Sequence, residues 1–121
     1  MNTSVLCLNK NIVTAEDYYR AMLLKDFDKM ASFYHKDVRF IGPREDLCGK
    51  DAVLAAAKGF AMVLRDIKIR SKCFSENQVM LAYDIFAGAA TGAFRAAVLI
   101  DFTDGLIARI ELFFDGSSFQ E

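Results

Sequence analysis

The chain contains no tryptophan, one proline and one histidine. The lone Pro43 is joined by no Ser/Gly-rich stretch, so nothing marks a linker or a second domain. Three cysteines, Cys7, Cys48 and Cys73, are an odd set without CxxC spacing. With His35 as the only imidazole they leave no ligand set for a structural zinc site, and they read as reduced, largely buried thiols of a cytoplasmic protein. Charge of one sign is also missing: the net charge is −1, which removes the basic footprint of a nucleic-acid binder and gives no attraction to a membrane surface. No apolar run approaches the length of a membrane-spanning helix, and the N-terminus lacks the basic start of a signal peptide. No metal or nucleotide motif occurs, so no cofactor is expected.

What is present is apolar mass. Hydrophobic residues make up 54% of 121, enough to bury one sizeable core and too few residues for two. Eleven Phe and four Tyr predict a core built from flat rings. The whole chain, 1–121, therefore reads as a single domain, with the weakly patterned residues 1–12 as a loose arm.

Thr14 followed by Glu16 and Asp17 is a helix start, with Ala15, Tyr18, Tyr19, Met22 and Leu23 recurring at helical spacing. Asp26 is a second N-cap candidate. Phe27, Met30, Ala31 and Tyr34 form the next stripe, and His35 closes that helix where a cation suits the dipole. A short strand over 38–41 stops at Gly42-Pro43, and the charged residues 44–49 read as a loop. A third helix carries Val53, Ala56, Ala57, Phe60, Ala61 and Leu64, its alanines and Gly59 permitting a close approach.

The remainder alternates as strands: 67–70, 78–87, 93–102 and 106–115. A three-residue turn at Thr103-Asp104-Gly105 puts Ala96, Val98, Ile100 and Phe102 on one face with Ala108, Ile110, Leu112 and Phe114. Arg95, Asp101, Arg109 and Glu111 then share the other face. A symmetric turn around Ala90 places Asp84 opposite Ala96, so that Met80, Ala82, Asp84 and Phe86 join the apolar, helix-covered face. Three helices followed by a meander make an α+β domain with helices on one side of an antiparallel sheet.

The order of these segments resembles the nuclear transport factor 2-like superfamily, in particular its SnoaL-like polyketide cyclase and ketosteroid isomerase-like group. The resembling pieces are Tyr18-Tyr19-Arg20-Ala21-Met22, Lys25 to Tyr34, Asp37-Val38-Arg39-Phe40, Pro43, Gly49-Lys50-Asp51-Ala52-Val53 and Asp104 to Ile110. The resemblance implies a cone-shaped curved sheet on three N-terminal helices, a pocket at its open end, and a homodimer through the outer sheet face. That face would carry Leu81, Tyr83, Ile85, Leu99 and Phe113, an apolar surface in need of a partner. The resemblance does not carry the isomerase machinery across. The family's proton-shuttling aspartate falls on Gly42 and its late-strand acid on Val98, while the oxyanion tyrosine falls on Tyr18. The last-strand carboxylate of limonene epoxide hydrolases falls on Leu112.

Asp84 is the remaining carboxylate of interest, a charge on an apolar strand face with small neighbours. In a greasy pocket its pKa would rise and it would serve as a general acid/base, with Tyr18, or Tyr34 from the second helix, as hydrogen-bond donor to it or to a ligand. The alternative is a one-residue register shift that pairs Asp84 with Arg95, or a position facing water near a strand end. Tyr34, Phe40, Phe60 and Phe86 are candidate ligand contacts, as are Val98, Phe102, Leu112 and Phe114. Arg44, Glu45 and Asp46 fall at the expected pocket mouth. The functional expectation is a protein that binds a small, largely apolar molecule, acting as a cofactor-independent isomerase, cyclase or hydrolase through Asp84. The alternative is a non-catalytic ligand-binding or dimerisation module.

Overall fold

The computed structural model describes residues 10–88 and 92–114. Helix α1 (Lys10–Leu24) is followed by the short α2 (Phe27–Ser32), then strands β1 (Tyr34–Ile41) and β2 (Asp46–Cys48). Helix α3 (Lys50–Val63) leads into the long strands β3 (Leu64–Ser75), β4 (Gln78–Ala87), β5 (Phe94–Thr103) and β6 (Leu106–Phe114). The six strands form one curved, unclosed sheet in the order β2-β1-β6-β5-β4-β3, with the three helices against one face. The α+β class and the curved sheet on helices are as the sequence reads. One pair, β1 with β6, runs parallel and makes the sheet mixed. No helix among the described residues is long and apolar enough to cross a membrane.

Helix α1 buries Ile12, Ala15, Tyr18, Tyr19, Ala21 and Met22, an apolar stripe turned toward the sheet. It is helical from Lys10, so Thr14 lies inside it and is not its cap, and residues 10–12 of the expected arm are helical. Residues 1–9 lie outside the described set. The helix ends at Lys25, which takes a left-handed φ of 58°; Lys25 N–H donates to Met22 O and Asp26 N–H to Ala21 O. Asp26 then caps α2 by accepting from Lys29 N–H at 3.3 Å.

Helix α2 is shorter than its apolar stripe. Tyr34 and His35 belong to β1, because Tyr34 pairs with Ile107 of β6 and the strand pairing overrides the helical period. Residues 46–48 are a strand and not a loop: β2 pairs with β1, and Asp46 receives two hydrogen bonds from Arg39, at 2.9 and 2.7 Å. Gly59 does not serve close packing, since a Cβ there would meet nothing within 4 Å. Cys48 and Cys73 are exposed, not buried; Cys7 is outside the described residues.

The meander keeps its strands but changes their register. In β4, Val79, Leu81, Tyr83, Ile85 and Ala87 are buried under the helices. Met80, Ala82, Asp84 and Phe86 therefore point outward, the reverse of the expectation. The pairing Asp84↔Arg95 explains the reversal: the β4–β5 connection is offset by one residue from the symmetric turn, and one residue inverts every side chain. Residues 89–91 of that connection are not described. The β5–β6 hairpin turns tightly, with Thr103 opposite Leu106, and regains the expected faces through a bulge beyond the Phe102↔Ile107 pair. Ile110, Leu112 and Phe114 thus share a face with Ile100, Val98 and Ala96, while Ile107 takes the inward place expected for Ala108. Two further irregularities, at Arg65 and at Arg70, interrupt β3. Bulges of this kind bend a sheet, which is what a curved wall around helices needs.

Candidate functional site

The open side of the curve holds an apolar cavity of about 410 Å³. Helix α1 contributes Tyr18, Tyr19 and Met22; α3 contributes Val53, Ala56, Ala57 and Phe60. The sheet supplies Phe40, Tyr83, Ile85, Phe94, Ile110, Leu112 and Phe114. Gly42, Pro43, Arg44 and Glu45 follow β1, and the exposure of Arg44 and Glu45 puts them at the opening. The loop is closed by Gly42 N–H donating to Glu45 O at 2.8 Å. At Gly42, a Cβ would lie 3.1 Å from the Phe40 ring, so the missing side chain lets that ring pack against the backbone.

Four buried tyrosines join helix to sheet beside the cavity. Tyr18 and Tyr34 share a hydrogen bond at 2.7 Å, and Tyr83 donates to Tyr19 at 3.2 Å. The rings are linked edge-on: Tyr18 to Tyr19 at 5.1 Å and Tyr19 to Tyr83 at 5.2 Å between centroids, with Tyr18 and Tyr34 tilted at 5.6 Å. Burial pushes all four phenols up. Tyr34 reaches about 12, and Tyr18, Tyr19 and Tyr83 are also raised. They are therefore neutral donors at neutral pH. A hydroxyl that both donates and accepts is satisfied; one left with an idle hydrogen in a dry site costs about 1–3 kcal/mol.

Asp84 is not part of this site. It sits on the outer face, ion-paired with Arg70 at 3.2 Å, its side chain 22% exposed. The bulge that displaces Arg70 is in the strand beside it, which brings the guanidinium to the carboxylate. The expected acid/base role in a greasy pocket is corrected accordingly, because the carboxylate is neutralised and faces away from the cavity. Of the other candidates, Tyr18, Phe40, Phe60, Leu112 and Phe114 line the cavity. Tyr34 stands behind Tyr18 and reaches the cavity only through it. Phe86 is on the outer face with Asp84, and Val98 and Phe102 are packed in the core away from the opening. Tyr19 and Tyr83 also line the cavity, and nothing in the sequence marks them as site residues. The symmetric-turn register puts Tyr83 on the outer face, and Tyr19 reads as a core position on a helical stripe. Among the described residues no group of three His, Cys, Asp or Glu side chains could hold a metal ion.

The sequence matches the SnoaL-like domain model over residues 15–110. The chain belongs to the SnoaL-like domain family. No curated protein matches this member. Among solved structures, a Kribbella flavida protein is 25% identical with a TM-score of 0.81, covering 88% of this chain and 87% of its own. A Cytophaga hutchinsonii NTF2-like protein of unknown function is 17% identical with a TM-score of 0.82, covering 92% and 95%. A steroid delta-isomerase from Pseudomonas aeruginosa is 18% identical with a TM-score of 0.75, covering 90% and 82%. At the last two identities the likeness shows the fold of this SnoaL-like domain and leaves its chemistry to its own residues.

Proposed function

We propose that this SnoaL-like domain binds a small, largely apolar molecule in the cavity and holds an acceptor oxygen of that molecule with Tyr18, backed by Tyr34. The observation that carries the reading is an apolar cavity of about 410 Å³ bordered by a buried phenol whose only hydrogen-bond partner among the described residues is another phenol. The volume falls within the roughly 300–1,000 Å³ usual for small-molecule sites. When Tyr34 donates to Tyr18, the Tyr18 hydrogen is left for a ligand carbonyl.

Turnover is the second reading. A phenol that polarises a carbonyl assists proton transfer next to it, provided a base is near. Glu45 is the carboxylate on the cavity lining among the described residues, and it is exposed at the opening. Binding requires no such base and stands first. We also propose that a second copy of the chain covers the outer sheet face. Met80 and Phe113 are 40% and 47% exposed there. Cations and carboxylates alternate around them, Lys68, Arg70 and Arg95 with Asp84, Asp101 and Glu111, so the face complements itself.

The bicyclic ketone 1-tetralone, titrated by calorimetry, tests the binding reading. Saturable binding is expected, weakened about three- to tenfold by Tyr18→Phe and abolished by Ala57→Trp, which fills the cavity from α3. Absence of saturable binding, or binding indifferent to Ala57→Trp, refutes it.

A further inference from the structure

Four phenols carry four hydroxyl hydrogens, and the two hydrogen bonds among them use two. One hydrogen per pair is left over. In the pair formed by Tyr83 and Tyr19, Tyr83 is the donor, so the idle hydrogen is on Tyr19. Tyr19 and Tyr83 are 6% and 2% exposed, and both line the cavity. No other polar partner for Tyr19 exists among the described residues, which leaves the cavity as the place where its hydrogen can be satisfied. In the other pair either oxygen can be the donor; when Tyr34 donates, the idle hydrogen is on Tyr18, which lines the same cavity from the adjacent position on α1, the two rings 5.1 Å apart.

From this count we infer that the cavity holds two separate hydrogen-bond donors, Tyr18 and Tyr19, and selects apolar molecules that present two acceptor oxygens. The chemical class is a diketone, quinone or comparable dicarbonyl on a compact hydrocarbon frame. The inference rests on the binding role proposed above and sharpens it from one acceptor to two. Hydroxylated ligands fit less well. The lining offers phenols that already have hydrogens to give, and a ligand hydroxyl adds another hydrogen to place. Tyr83, by donating to Tyr19, occupies the acceptor side of that oxygen and leaves the hydrogen for the ligand, without itself holding the ligand.

A matched series separates the claims: 2,2-dimethylindane, 2,2-dimethyl-1-indanone and 2,2-dimethyl-1,3-indandione share a frame and offer zero, one and two carbonyl oxygens. Affinities of the full chain for each are measured by calorimetry or ligand-observed NMR. The dione is expected to bind roughly three- to tenfold more tightly than the ketone, the worth of one added hydrogen bond. Tyr19→Phe combined with Tyr83→Phe removes both oxygens of the pair and keeps both rings. It should erase the dione's advantage over the ketone while the hydrocarbon still binds, which reports an intact cavity. Tyr83→Phe alone should retain the advantage, since the Tyr19 hydroxyl remains. Equal binding of ketone and dione, or an advantage that survives the double substitution, overturns the two-donor inference while leaving cavity binding standing. Failure of all three probes to bind overturns both.

Discussion

Tyr34 is 1% exposed, and its phenol meets no other described polar side chain than Tyr18. Phenols in the unfolded chain ionise near 10, and the folded Tyr34 keeps its proton to about 12. The unfolded state therefore releases these protons first as pH rises. Stability from the tyrosine cluster should be flat through neutral pH, begin to fall above pH 10 and be lost as pH passes through the folded values. Denaturant unfolding followed at several alkaline pH values, with tyrosinate absorbance as the second signal, checks this. Asp84 gives the opposite expectation at the same scale. Its ion pair with Arg70 is half in water, where such pairs are worth about 0–1 kcal/mol. Asp84→Asn should shift stability by no more than that and leave ligand affinity unchanged, as measured by thermal unfolding and calorimetry. Single residues were the least legible level of the sequence. A strand alternates in the same way whichever face is buried, so the identity of Asp84 drew attention while its direction depended on one residue in a turn.

Two backbone positions test how the elements are made. Gly59 lies inside α3 with open space where a side chain would go, so Gly59→Ala should stabilise by about 0.5–1 kcal/mol. Lys25 takes the left-handed position that ends α1, and Lys25→Gly should relieve up to about 1 kcal/mol of backbone strain. Both are read from chemical denaturation midpoints. At this scale the sequence was more informative. Three helices, the Asp26 cap and the three long strands β4 to β6 follow from periodicity and turn residues. What periodicity missed was pairing between distant segments. Nothing local in Tyr34-His35 or Asp46-Leu47-Cys48 says strand; β6 and β1 make them so.

For the whole molecule, the outer face is the feature to test. If a second copy covers it, the wild type sediments as a dimer and Phe113→Lys, a charge placed among apolar neighbours, sediments as a folded monomer. A monomeric wild type at micromolar concentration removes the assignment. The family resemblance pointed to this face, but the residues it names change. Met80, Ala97, Leu99 and Phe113 occupy it, and Leu81, Tyr83 and Ile85 are inside.

The parallel pairing of β1 with β6 also bears on how the chain reaches this state. Strand β6 is the wedge between β1 and β5, so without it the sheet falls into two separate pieces, β2-β1 and β5-β4-β3. Tyr34 waits for Ile107, a partner made long after it. Such a high contact order slows folding, because the loop must close before the pairing rewards it. On the ribosome, β1 and β2 emerge early, yet they cannot join the rest of the sheet until β6 follows. That interval is when a chaperone has most to hold.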